Sequence, residues 1–390
     1  MKVIIILILI FLNSHYVFAQ STIDKMLLEI EKNNLVLAAL KKKTEADKLG
    51  NRTGIYLSNP EFDFSYLVGN PSILGNRTDI SLVQSFDFPT VYFHRKKIAG
   101  MNDMQADLAY QKQVKDVLHN ARVICADIVY MNALCSEYTR QKLQATELAE
   151  IYRKKLEKGD GNQLDYNKAM MNLHTVEDVL EHLEIERTAL LSELASMNGG
   201  QKVSLTDTVF SLQVLPSDFE TWFSEIEKNI PELSILHQET EKSLMQEKLS
   251  KAIGLPKFSA GYKSEKVAGE QFQGVSVGIT IPLWENKNNV KYSRAKSVAL
   301  QDLSVSTKTA LHDLLKSKFE KILSTQKLLT DCRQALNNYD NTGLLRKALD
   351  QGEISFITYL QELSIFNEIK IKLLETENEL NTSTIELLRY

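Results

Sequence analysis

Glu29-Ile30-Glu31-Lys32-Asn33 stands near the start of this chain and returns unchanged as Glu225-Ile226-Glu227-Lys228-Asn229. The spacing is 196 residues, and it also carries Leu37 onto Leu233, Leu40 onto Leu236, and Pro60, Phe62 and Tyr66 onto Pro256, Phe258 and Tyr262. Three residues then drop out and the offset becomes 193. Pro89 now matches Pro282, while Arg153, Lys154, Leu156, Gly159 and Tyr166 match Arg346, Lys347, Leu349, Gly352 and Tyr359. One offset with a single small gap implies two copies of one structural unit. The reading places the first repeat at 20–198, an equatorial linker opening on Gly199-Gly200 at 199–216, and the second repeat at 217–390.

Each copy holds the same series of elements. A helix is expected near Thr22–Lys48 and again near Phe219–Lys251. A β-hairpin follows, Pro60–Val68 with Ile80–Phe88 and then Pro256–Ser264 with Gly274–Ile281. Alternation supports the strands: Phe62, Phe64 and Tyr66 point one way, Asp63 and Ser65 the other, and Val275, Val277, Ile279 and Ile281 alternate with Ser276, Gly278 and Thr280. The prolines at 60, 89, 256 and 282 mark strand boundaries, and none of the seven prolines lies between Thr90 and Leu215 or after Pro282. Proline breaks helix interiors and glycine weakens them, so their absence permits very long helices. Val114, Val117, Ala121, Ile124, Ile128, Met131, Cys135 and Tyr138 follow steps of three and four, a heptad seam. Thr90–Lys158 is therefore expected as one helix, roughly 100 Å long at the α-helical rise. A glycine turn ends each long helix, and a second helix returns, Leu164–Ser196 or Ile354–Leu388. The predicted class is mostly α with short β-hairpins.

The N-terminus sets the compartment. Lys2 precedes an apolar run from Val3 to Leu12, and Val17-Phe18-Ala19 suits a signal peptidase, so residues 1–19 read as a secretory signal with a mature start at Gln20. No later stretch is long and apolar enough for a transmembrane helix. The formal charge of −4 is small and its signs are interspersed, so nothing points to a nucleic-acid partner and none is expected. Cys125, Cys135 and Cys332 are an odd, sparse set that makes no disulfide scaffold; Cys125 and Cys135 read as small core residues rather than soft-metal ligands. The seven histidines lack HxxxH spacing, and neither a phosphate loop nor a Ser-His-Asp arrangement is present. Neither an enzyme nor a cofactor or metal site is expected.

Four strands per chain cannot close a barrel, and a secreted protein does not leave such edges bare. Three chains supply twelve strands, an even number within the range of outer-membrane barrels, and the alternation suits apolar residues toward lipid and small or polar ones toward a lumen. Helices leaving one end at Pro89 and Pro282 would continue the barrel as a helical tube.

On these residues the chain resembles the TolC-like outer-membrane efflux family over essentially its whole mature length. The carrying features are the duplication, Asn59-Pro60-Glu61-Phe62 opening a strand, Ile279-Thr280-Ile281-Pro282-Leu283-Trp284 closing one, and two tip turns. These turns are Leu156-Glu157-Lys158-Gly159 and Leu349-Asp350-Gln351-Gly352-Glu353-Ile354-Ser355. The resemblance implies a homotrimeric α-barrel continued by a twelve-stranded barrel in outer-membrane lipid. It also implies export together with a periplasmic adaptor protein and an inner-membrane efflux pump, as in the heavy-metal and multidrug branches. Adaptor docking is expected at the tips, with Leu156, Leu349 and Ile354 as exposed apolar contacts and Lys158, Asp160 and Glu353 setting register around Gly159 and Gly352. Family members often carry two acidic residues past the second tip glycine, ringing the closed entrance. The matching positions here are Thr358 and Gln361, and in the first repeat Asp165 and Lys168, so an acidic gate would rest on Asp165. That residue equally suits a helix N-terminus, where the macrodipole favours negative charge. The competing reading is a soluble periplasmic helical scaffold or adhesin, and a third, a metal-binding periplasmic chaperone, requires bound copper or zinc.

Overall fold

The computed structural model describes residues 22–210, 215–284 and 286–390. The expected secretory signal, residues 1–19, lies outside them, as does part of the linker. The chain forms two compact units, each drawing on both halves of the sequence. One comprises residues up to 38, 114–219 and 315–389, the other 39–113 and 220–314. The elements run α1 (Thr22–Asn33), α2 (Leu35–Asn51), β1 (Glu61–Leu67), β2 (Arg77–Phe86), α3 (Pro89–Glu157) and α4 (Gln163–Met197). They continue as α5 (Phe219–Ile226), α6 (Pro231–Ile253), β3 (Lys257–Val267), β4 (Glu270–Thr280), α7 (Asn289–Asn338), α8 (Thr342–Asp350) and α9 (Phe356–Leu387). No described helix is long and apolar enough to cross a membrane.

The unbroken helix expected from residue 90 exists: α3 has 69 residues. Three other expected helices are interrupted, two where side chains compete for backbone groups and one at a proline. The first breaks at Asn34, whose Oδ1 accepts from the Leu37 N–H at 3.0 Å while its Nδ2 donates to Met197 O at 2.8 Å. Its counterpart breaks after Glu227–Asn229, and Pro231 starts the new helix, where a missing N–H costs nothing. The second long helix stops at Asn338 and restarts at Thr342. Here Asp340 Oδ1 accepts from the Thr342 N–H at 3.0 Å within Asn337-Asn338-Tyr339-Asp340-Asn341, a run of weak helix formers. Pro89 opens α3, but Pro282 does not open α7, which begins seven residues later. The intervening segment is anchored by the Asn286 amide donating to Ser250 O and bends through Asn288 at φ 68°.

The unit holding the strands is a four-stranded antiparallel sheet, ordered β1-β2-β3-β4, with a row of helices. β2 and β3 pair over ten residues, Arg77↔Val267 to Phe86↔Phe258, joining hairpins from the two sequence halves. The second hairpin is longer than expected because Ala268 and Gly269, at φ 50° and 97°, close it as a two-residue turn. In the row, α2 packs on α3 through Asn51–Asp103 at 2.9 Å and Lys48–Asp107 at 2.6 Å. α3 meets α6 where Val91 is buried with Leu249 and Ala252. α6 meets α7 where Ser250 and Ser293 hydroxyls lie 3.0 Å apart.

The other unit is built on α3. Ala121, Ile124, Cys125, Ile128 and Val129 are buried with Ile30 of α1 and Leu194 of α4. Burial wraps farther round the helix than one seam, because several neighbours cover it. The linker lies in this core: Leu205 is buried, and the Asn132 amide donates to Leu205 O at 2.9 Å and Asp207 O at 3.0 Å. Burial pushes the Cys125 thiol up to about 12, the inert state of a packed cysteine.

Candidate functional site: an apolar sheet face and two matched tip turns

The register sorts the sheet into two chemically different faces. On one, Phe62 faces Leu82, Phe64 faces Ile80, and Leu82 in turn faces Tyr262. Tyr262 faces Val275, Ala260 faces Val277, and Phe258 faces Ile279. Most of these large apolar side chains are exposed, Val275 at 83% and Val277 at 82%. On the opposite face lie Asp63, Asp79, Ser81, Lys263, Glu265, Ser276 and Gly278, with one exposed aromatic, Phe272, opposite Glu265 near the hairpin turn. A soluble sheet covers an apolar face with a second layer, whereas among the described residues that face stays exposed. Among the described residues β1 and β4 each pair on one side only, so the sheet has two open edges. Just past β4, Ile281, Leu283 and Trp284 are also exposed.

The two tip turns have the same construction. After α3, the Gly159 N–H donates to Leu156 O at 3.0 Å and the Asp160 N–H to Lys155 O at 2.9 Å. After α8, the Gly352 N–H donates to Leu349 O at 3.1 Å and the Glu353 N–H to Ala348 O at 2.9 Å. Both glycines are left-handed, at φ 77° and 75°, the helix-ending motif that glycine adopts without a Cβ penalty. The return helices are capped at equivalent positions: Asn162 Oδ1 accepts from the Asp165 N–H at 2.8 Å, and Ser355 Oγ from the Thr358 N–H at 3.1 Å. One core joins the turns, in which Tyr152 and Phe356 rings lie 4.1 Å apart against Leu148, Ala169, Tyr359 and Leu363. Arg346 bridges Glu147 at 2.7 Å, linking α8 to α3.

This geometry corrects the expected apolar contacts. Leu349 is 8% exposed and belongs to the tip core, Ile354 packs against that core, and Leu156 is half-buried. Exposed apolar side chains near the turns include Leu164 at 69% and Ile357 at 43%, equivalent residues in the first turns of the return helices. The sequence held a signal for them, since the 193-residue offset maps one onto the other. Lys158, Gly159, Asp160, Gly352 and Glu353 are exposed. Of the gate candidates, Asp165 and Lys168 are half-buried, and Thr358 and Gln361 exposed. Asp165 Oδ2 also accepts from Asn162 Nδ2 at 2.8 Å, so it closes a cap as well as carrying charge.

Farther along α3, a buried carboxylate escaped the sequence reading. Glu137, its side chain 4% exposed, accepts from Lys370 of α9 at 2.6 Å, Gln141 at 3.0 Å and Arg140. Burial alone would raise its pKa, but the bonds from Arg140, Lys370 and Gln141 outweigh it and hold the carboxyl below the ordinary range.

No family model matches the sequence, and no curated protein matches it. Solved structures do match. The outer-membrane channel OprN aligns with a TM-score of 0.77 at 12% identity, over 94% of this chain and 89% of that one. The CmeC outer membrane channel of Campylobacter jejuni aligns at 0.74 and 14% identity, over 94% and 84%. CusC, whose structures concern folding and transmembrane channel formation, aligns at 0.73 and 15% identity, over 95% and 91%. At such identities the likeness lies in the backbone, extends over nearly the whole of each chain, and establishes that this chain has the fold of the TolC-like outer-membrane channels.

Proposed function

We propose that the chain is one protomer of a homotrimeric efflux duct in the bacterial outer membrane, a passive channel rather than an enzyme. The observation that carries this reading is the sheet: one face is mainly apolar and exposed, the other mainly polar, and both edges are open. In lipid every backbone group must find an internal partner, so such a sheet is stable only inside a closed barrel. Three copies give twelve strands with the apolar face toward lipid and the polar face toward a lumen. The 20–198 and 217–390 repeats, joined through 199–216, then contribute equivalent helices to the periplasmic tube.

Export through such a duct requires a periplasmic adaptor and an inner-membrane pump. We place adaptor docking at the two tip turns, through exposed Leu164 and Ile357 flanked by Lys158, Asp160 and Glu353, with Gly159 and Gly352 shaping both turns. A trimer repeats these near-equivalent turns six times, which suits a six-fold adaptor ring. Asp165, Lys168, Thr358 and Gln361 stand where an entrance gate would close, with Asp165 its acidic member.

The test is purification from detergent-solubilised outer membranes, followed by reconstitution into planar lipid bilayers. Heat-modifiable trimers with stepwise conductance are expected. A folded monomer recovered from the soluble periplasm, without conductance, rejects the duct and favours the scaffold reading.

A further inference from the structure

The helix row in the sheet-bearing unit ends in two helices that each show a second heptad seam. α2 meets α3 through Lys48 and Asn51, which share one side of the helix with Leu40 and Thr44, and all four are less exposed than its other positions after Leu37. On its opposite side Ala39, Lys42, Ala46 and Leu49, spaced three, four and three, are all exposed. α7 uses Ser293, Ser297 and Leu300 as its buried stripe. On its opposite side Ala295, Val298, Asp302 and Val305, spaced three, four and three, are likewise all exposed. A run of small and apolar residues with this spacing is the pattern of a helix–helix contact. Each seam contains one charged residue, of opposite sign.

The open sheet edges identify the occupant. α2 leads into β1 and α7 leaves β4, so the outer helices of the row belong to the two strands with a free edge. The edges differ, so a contact between them is heterologous and generates a ring rather than a two-fold dimer. If β4 of one copy pairs antiparallel with β1 of the next, α7 and the neighbouring α2 run antiparallel as well. Placing Lys42 opposite Asp302 then sets Leu49 against Ala295, Ala46 against Val298 and Ala39 against Val305. Every level pairs a small side chain with a larger one, or a cation with an anion.

We infer that the α2 seam Ala39/Lys42/Ala46/Leu49 of one copy docks on the α7 seam Ala295/Val298/Asp302/Val305 of the next, and that Lys42–Asp302 fixes its register. The contact rests on the duct reading and adds which helices join the copies. A charged pair inside an otherwise apolar helix seam sets register more than strength.

Two singly substituted chains, Ala46→Cys and Val298→Cys, carry different tags and are co-expressed, so a disulfide between them forms only between copies. Mild oxidation of outer membranes is expected to give a covalent dimer bearing both tags, absent when either variant is expressed alone. Lys42→Glu is expected to reduce heat-modifiable trimer, and Lys42→Glu with Asp302→Lys to restore it. Normal wild-type trimers without the two-tag dimer, or a charge swap that restores nothing, overturn the seam and leave the duct standing. An unsubstituted protein that forms no oligomer overturns both.

Discussion

Val275→Lys separates a barrel from a soluble sheet by energy alone. Val275 lies at the centre of β4, five residues from Glu270 and five from Thr280, and faces Tyr262 across the ladder. Five residues span about 17 Å of strand, and a tilt of about 40° reduces that to roughly 13 Å of depth, near the middle of an apolar band about 25 Å tall. Lysine at that depth costs about 2–4 kcal/mol per copy. In water, an exposed position away from caps and charge networks tolerates substitution within about 0.5 kcal/mol. Val275 is 83% exposed in the single chain, so the two environments predict outcomes that differ by several kcal/mol over three copies. Ser276→Lys is the control, because it adds the same charge one residue away on the polar face. The assay compares the yield of heat-modifiable trimer in outer membranes and the urea midpoint of purified trimers in lipid. Val275→Lys is expected to lose most trimer and Ser276→Lys to retain it. Equal assembly of both variants refutes the assignment of the apolar face to lipid.

Glu137→Ala should cost about 1–2 kcal/mol at neutral pH, less than a fully buried pair because Lys370 and Arg140 remain partly solvated. The lowered pKa of Glu137 makes its contribution present above the ordinary carboxylate range and lost as pH falls through its folded value. The gap between wild-type and Glu137→Ala urea midpoints should therefore close on acidification, and a constant gap would contradict the network. Gly159→Ala and Gly352→Ala meet no atom within 4 Å, so each should cost only the left-handed backbone term, about 1–2 kcal/mol, read by thermal unfolding. Bulky residues at both glycines should leave trimers intact while abolishing export and adaptor crosslinking; normal export in that double variant rejects tip docking. His312 is raised by its bonds to Glu220 and then Asp313, at 3.0 and 3.2 Å, so its hold on α5 is full below the ordinary histidine value and fades as pH rises through the folded one. An NMR titration showing His312 at or below a Glu220→Gln variant would refute that link.

The repeat, the hairpins, the unbroken α3 and the two tip glycines were legible because each is written locally or by self-similarity. A left-handed turn needs glycine, a strand with two different faces alternates, and duplication preserves offsets. The interruptions at Asn34 and Tyr339–Asn341 are written as Asn-Asn and Asn/Asp-rich runs, whose side chains favour caps and turns over helix interiors. Leu349 and Leu164 show the limit: both are leucines beside a turn, and periodicity cannot say which one the neighbouring helix covers. Glu137 is the same case for charge, since Lys370 lies more than two hundred residues away and only packing brings it to 2.6 Å. Sequence determined the type of most elements and their order, because dihedral preference and hydrophobic period act over a few residues. Tertiary structure alone decided which faces are bare, which edges are open and which charges are shared, because burial is a property of contacts between segments distant in the chain.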